Sequence, residues 1–194
     1  MAQDLFNYYK HALSNGLCSE YKGRWRACHD NKEQLVKLVM AQQSLPHFIH
    51  YCYNGMGLSK EYIQETFGDY INGNAVIKDA DGVDGYTYSL YVGFNGDFKA
   101  AVDVLSLMWC NNTNVTVETS KCPVIYVGCG SHVHLSLDGY NCPHIYLFDD
   151  SKVTIDDSYE DSKMVIYKYS DKSQVELGKY CLADVKVFNK KLKL

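Results

Sequence analysis

The chain has 194 residues and a formal net charge of −4; 46% of its residues are hydrophobic, 22% charged and 13% aromatic, and only three are proline. That balance excludes a disordered, collagen-like or long coiled-coil protein, and a chain of this length buries enough surface to hold a core without metal or disulfides. The acidic balance argues against direct nucleic-acid binding, which calls for a basic stripe, and no apolar run reaches the length of a membrane span.

Met1-Ala2-Gln3-Asp4 has no cationic n-region and no apolar h-region. A secretory signal is therefore not expected if Met1 is native, and the eight cysteines read as reduced thiols of a cytosol. The first predicted helix spans Gln3 to Ser14, with Leu5, Phe6, Tyr9 and Leu13 on one face and Gly16 as a stop signal. Asp30 and Glu33 have capping-box spacing and open a second, which carries Leu35, Leu38 and Val39 through Gln43. Ser44-Leu45-Pro46 opens a third, running through Phe48, Ile49 and Cys52 to Asn54-Gly55. Ser59 opens a fourth with Tyr62, Ile63 and Phe67. Asp79 to Gly85 reads as a loop, and Tyr86 to Phe94 as a strand on the alternation of Tyr86, Tyr88, Leu90 and Val92.

From Leu105 onward the sequence repeats. Steps of ten meet Leu105, Val115, Ile125, Leu135, Ile145, Ile155, Val165, Val175 and Val185, all aliphatic. A second set from Leu107 gives Val117, Val127, Leu137, Leu147, Asp157, Tyr167, Leu177 and Val187, with only Asp157 clearly polar. Cys122-Pro123-Val124-Ile125-Tyr126-Val127 returns as Cys142-Pro143-His144-Ile145-Tyr146-Leu147, so two short strands make one coil of about twenty residues. The expected fold is α+β: a mainly helical domain over 1–100, with a strand near 86–94, capping a β-solenoid over 101–194. An antiparallel β-meander is the alternative. The solenoid is favoured because one added residue in a stacked strand flips every later side chain, whereas hairpin loops have little reason to hold a fixed length. Pro123 and Pro143 belong at strand starts, where no ladder donor is lost. The outward columns expected on one face are Tyr126, Tyr146, Ile166, Lys186 and Val124, His144, Met164, Asp184. On the other they are Thr116, Ser136, Asp156, Glu176 and Asn114, His134, Thr154, Gln174.

Few residues suggest chemistry. His47 and His50 stand one helical turn apart near Cys52, and Cys28 or His29 would complete a tetrahedral zinc set; ordinary helix histidines are the commoner explanation, and no cofactor is assigned. Cys129, followed by His132 and His134, has the ingredients of a cysteine–histidine nucleophile, yet Gly128 and Gly130 mark it as a tight corner. Cys122 and Cys142 are expected to stack at neighbouring corners as two thiols. Asp149, Asp150, Asp156, Asp157, Glu160 and Asp161 form an acidic run suited to calcium or to a basic groove on a partner. Tyr126 and Tyr146 form a short aromatic column on a flat face, a good protein- or sugar-binding surface. No Walker loop, dinucleotide fingerprint or nucleophile elbow occurs, so no catalytic residue is assigned.

Four segments together carry a resemblance: Gly16-Leu17-Cys18 with Tyr21, Trp25 and Cys28; Gly57-Leu58-Ser59 with Tyr62-Ile63 and Phe67; Tyr70-Ile71-Asn72-Gly73; and Gly85-Tyr86-Thr87 with Leu90-Tyr91. Over about residues 5 to 110 the chain resembles a group of small proteins encoded by gut Bacteroidetes and their phages or mobile elements. That group has a helical N-terminal part, short β repeats and no assigned activity. The resemblance implies an intracellular setting and a mobile-element origin, and carries over no catalytic residue. Two functions are expected. The first is a non-enzymatic interaction protein that binds a protein partner through flat β faces, in its specific form an inhibitor of a host enzyme whose basic groove takes the acidic run. The second is a small enzyme or carbohydrate-binding module using a cleft between the helical part and the first coil.

Overall fold

Aliphatic side chains at every second position need a shared interior, and two stacked sheets provide it. The structure, a computed structural model, describes residues 59–66, 75–81, 86–118, 122–138, 142–157, 163–179 and 181–188, with seven single positions between 14 and 38. The helices predicted over 3–14, 30–43 and 44–52, and with them His47, His50 and Cys52, lie outside the described residues apart from such single positions. The fourth predicted helix is present as α1 (Lys60–Thr66), opened by a hydrogen bond from the Ile63 amide to the Ser59 carbonyl.

The strands are β1 (Ala75–Asp81), β2 (Thr87–Val92), β3 (Gly96–Ala100), β4 (Val104–Met108), β5 (Thr113–Glu118) and β6 (Val124–Gly128). They continue as β7 (His132–Asp138), β8 (His144–Leu147), β9 (Lys152–Asp157), β10 (Lys163–Lys168), β11 (Gln174–Leu177) and β12 (Leu182–Val187). One sheet has the order β1-β2-β4-β6-β8-β10-β12 and the other β11-β9-β7-β5-β3. Every neighbouring pair is parallel except β1–β2. A meander would be antiparallel throughout, so the chain is a two-sheet β-solenoid in which each coil places one strand in each sheet.

The interior follows the expected columns through the middle of the solenoid. Ile125 lies opposite Ile145, and Val115, Leu135 and Ile155 align strand to strand. Leu135, Ile145 and Ile155 are completely buried, each contributing roughly 1.5–3 kcal/mol by leaving water. At the first coil Tyr91 stacks on Phe98 at 3.9 Å, and Phe94 meets both edge-on. These rings fill the interior where small aliphatic residues would leave space.

Three expectations need correction. First, the pitch is not constant. Ile145 pairs with Ile166 rather than Val165, twenty-one residues on, and Ile166 pairs with Val185, nineteen on. In the other sheet Ile155 pairs with Leu177 rather than Val175. The corners absorb the extra residues, and because Val165 and Ile166 are both aliphatic, the strand changes its inward residue without exposing a polar one to the core. Second, the run from Asp79 is not all loop: Asp79, Ala80 and Asp81 end β1, which pairs with β2 through two register shifts. Third, the solenoid starts before residue 101, since β2 and β3 already pair in parallel with β4 and β5.

Corners repeat as strictly as strands. Gly93, Trp109, Cys129 and Asp149 occupy one corner position in successive coils, each with positive φ between 50° and 68°. This left-handed conformation disfavours side chains, so its recurrence marks a turn imposed by the stack. A Cβ at Gly93 would in addition meet the flexible end of Lys60 of α1, which would have to move aside. The helix seats Ile63 against the sheet with no exposure, and Gln64 Nε2 donates to the Val92 carbonyl at 3.1 Å. At the next position inward, Cys110, Ser131, Ser151 and Ser173 are all buried. The Cys110 amide donates to Ser131 Oγ at 3.0 Å, and Ser131 Oγ donates to the Gly128 carbonyl at 2.6 Å.

Ile145→Ala is expected to lower the unfolding free energy in urea by about 2–5 kcal/mol. Lys163→Ala, at an exposed side chain, is expected to change it by less than about 0.5 kcal/mol.

Candidate functional site

Parallel in-register strands place equivalent outward side chains about 4.8 Å apart, close to the spacing at which aromatic rings stack. The outer face of the β2–β12 sheet uses this. Tyr126 stacks on Tyr146 with centroids 5.0 Å apart, and Tyr146 on Tyr167 at 4.6 Å with ring planes 14° apart. A second column beside it runs Phe148, Tyr169 and Phe188 at 5.4 and 5.2 Å. The columns touch along their length through Tyr126–Phe148, Tyr146–Tyr169 and Tyr167–Phe188. His144 stacks beside Tyr167, whose hydroxyl lies 3.3 Å from His144 Nδ1. Lys186 Nζ closes the first column 5.6 Å from the Tyr167 centroid, a cation–π distance. Each stacked pair contributes about 0.5–1.5 kcal/mol beyond its buried area.

The expected Tyr126–Tyr146 column is therefore present but longer, because the register shift brings Tyr167 rather than Ile166 into line. Ile166 is buried in the core instead, as is Met164. The second column was not anticipated from ten-residue steps. A usable signal existed, since Tyr167 and Tyr169 follow Tyr146 and Phe148 at the same interval of twenty-one. Burial pushes the Tyr126, Tyr146 and Tyr169 hydroxyls above their ordinary ionisation range, and the neighbouring tyrosines add to the shift.

The opposite face is polar and paired. Asn114 Nδ2 donates to Asp97 Oδ1 at 2.6 Å, Lys99 bonds Glu118, His134 Nε2 lies 2.7 Å from Asp156 Oδ2, and Lys152 lies 2.8 Å from Glu176. The hydrogen bond from Lys152 holds the Glu176 carboxyl below its usual range. Exposed pairs like these add little stability, but they satisfy the face from within.

The acidic run is divided by the fold. Asp149 and Asp150 sit at the corner before β9, whereas Asp156 and Asp157 end that strand. Asp149 Oδ2 accepts the Cys129 amide at 3.1 Å, so it braces the previous corner; desolvation there raises its carboxyl above the usual range. Asp156 faces His134. Glu160 and Asp161 lie outside the described residues. No group of three or more His, Cys, Asp or Glu side chains able to hold a metal ion occurs among the described residues.

The cysteines divide by burial. Cys110 is fully buried, with Sγ against the Met108 and Tyr91 carbonyls, and burial pushes its thiol up to about 11. Cys122 and Cys142 are exposed free thiols at the starts of β6 and β8, where Pro123 and Pro143 are buried. No helix of the described residues is long and apolar enough to cross a membrane. Comparison of the chain with protein-family models, curated proteins and solved structures finds no match.

Two predictions arise here. A tyrosine whose folded-state ionisation is raised supplies stability that is complete below its unfolded pKa, near 10, and is lost as pH climbs through the folded value. Tyr126→Phe is therefore expected to match the wild type at neutral pH and to exceed its stability increasingly above about pH 10, read by urea unfolding across pH. In native protein, iodoacetamide is expected to label Cys122 and Cys142 within minutes and to spare Cys110 until urea unfolds the chain, as mapped by mass spectrometry.

Proposed function

We propose that the protein is a non-enzymatic binding protein whose aromatic face, not its polar face, docks a macromolecular partner. The observation that carries this reading is the double column of Tyr126, Tyr146 and Tyr167 beside Phe148, Tyr169 and Phe188, stacked and in part exposed to solvent. Tyrosine edges offer apolar area with a hydroxyl at the rim and few rotamers to freeze, the properties that enrich this residue in protein interfaces. Stacking also argues about ligand class. A sugar ring packs on an aromatic face, and here neighbouring rings cover most of those faces. A protein surface uses that arrangement better than a saccharide does.

The acids fit a smaller role. With Asp149 engaged by a backbone amide and Asp156 by His134, Asp150 and its neighbours act as a charged rim that steers a basic partner. An inhibitor of a host enzyme, carried on a mobile element and working in the cytoplasm, is the specific form that the sequence resemblance favours. In this reading helical segments of the first hundred residues cap the first coil, as α1 does at Gly93.

The test is quantitative capture from the native cell with purified wild type and variants of verified fold. A partner retained by wild type is expected to be lost with Tyr146→Ala combined with Tyr167→Ala, each truncation removing about 2 kcal/mol or more if it is an interface anchor. The same partner is expected to remain with Thr116→Lys combined with Ser136→Lys on the polar face. The reverse pattern, or binding of an oligosaccharide that the tyrosine variants abolish, overturns the proposal.

A further inference from the structure

The two ends of the solenoid differ. At the first end β2 is buried along nearly its whole length and α1 packs on it. At the last end β12 and β11 are the terminal strands of their sheets. There the inward columns run out into solvent. Val185 continues the column of Ile166, which has no exposure, yet is itself 43% exposed. Leu177, Leu182, Val187 and Phe188 are exposed with it, so five of the six exposed large hydrophobic residues among the described residues lie on this one coil. An open, apolar strand edge of this kind is a template for another strand.

We infer that the free edge of β12 pairs antiparallel with β12 of a second copy of the chain, about a two-fold axis at Val185, giving a closed head-to-head dimer. The charge pattern singles out this occupant and register. In an antiparallel pair, opposed residues point to the same face. A two-fold at Asp184 would set Asp184 against its own copy, and one at Lys186 would set Lys186 against its own. A two-fold at Val185 sets Asp184 against the partner's Lys186 and Lys186 against the partner's Asp184. It also opposes Ala183 to the partner's Val187 and Leu182 to the partner's Phe188, and it keeps the whole of β12 paired. Within one chain Asp184 and Lys186 already lie 3.5 Å apart on the outward face, their side chains 66% and 46% exposed, so both charges are placed to reach across the joint. A two-fold contact uses each edge once and closes, where a head-to-tail contact would grow filaments. The dimer would also join two aromatic faces end to end, but its formation does not depend on what those faces bind.

The experiment is sedimentation velocity on the full chain across concentration. The wild type is expected to dimerise. Asp184→Lys and Lys186→Asp, each of which opposes like charges twice, are expected to weaken the dimer roughly tenfold or more, and the double swap to restore it. Far-UV circular dichroism and urea unfolding check that these exposed substitutions leave the fold intact. Recovery in the double swap is the outcome that a general loss of stability cannot produce. A wild type still monomeric at about 1 mM overturns the inference. So does a dimer indifferent to either single reversal, growth into filaments, or hydrogen exchange showing the outer-edge amides of β12 protected in the monomer, which would mean that the chain covers its own edge.

Discussion

Everything in this structure hangs on the stacking of one coil upon the next. A coil of about twenty residues has two short strands and only a few inward aliphatic side chains, too few to bury themselves. Set on a neighbour, each inward Ile, Leu or Val gains a partner above and below, and the backbone of each strand finds its hydrogen bonds in the adjoining coils. Parallel register is the price of that arrangement. It fixes the rise between equivalent residues and leaves freedom only at the corners.

The same constraint writes the outer surface. Once the interior sets the rise, whatever points outward is stacked at that spacing as well. On one face this yields two contiguous aromatic columns, and on the other a row of cross-coil ion pairs and hydrogen bonds. The corner carrying Gly93, Trp109, Cys129 and Asp149 repeats for the same reason: each turn must match the one below it. Surface chemistry here follows from core geometry, which leaves partly exposed rings on one face and paired polar groups on the other.

How much of this was legible in the sequence depends on how each residue reports its environment. The middle coils were readable because inward aliphatic residues alternate cleanly with polar ones and no residue is added or lost from β4 to β9. The slip between β8 and β10 was hidden, since Val165 and Ile166 satisfy the core equally in an aliphatic count. That concealment moved Tyr167 out of its column and with it most of the aromatic face. β1 was missed because Asp79 and Asp81 are poor strand formers, and the antiparallel partner that holds them is not visible locally. The division of the acids was also beyond reach, as proximity along the chain says nothing about which end of a strand each residue occupies. The open last coil was not legible: Val185 and Val187 continue the aliphatic steps of the buried coils, and nothing along the chain marks them as uncovered.

Nuclear Overhauser contacts between neighbouring strands in solution test the winding most directly. The account predicts contacts from Ile125 to Ile145, from Ile145 to Ile166 and from Ile166 to Val185, with Tyr146 ring protons against those of Tyr167. Contacts from Ile145 to Val165 with Tyr146 beside Ile166, or any antiparallel pattern among β4, β6 and β8, would contradict it.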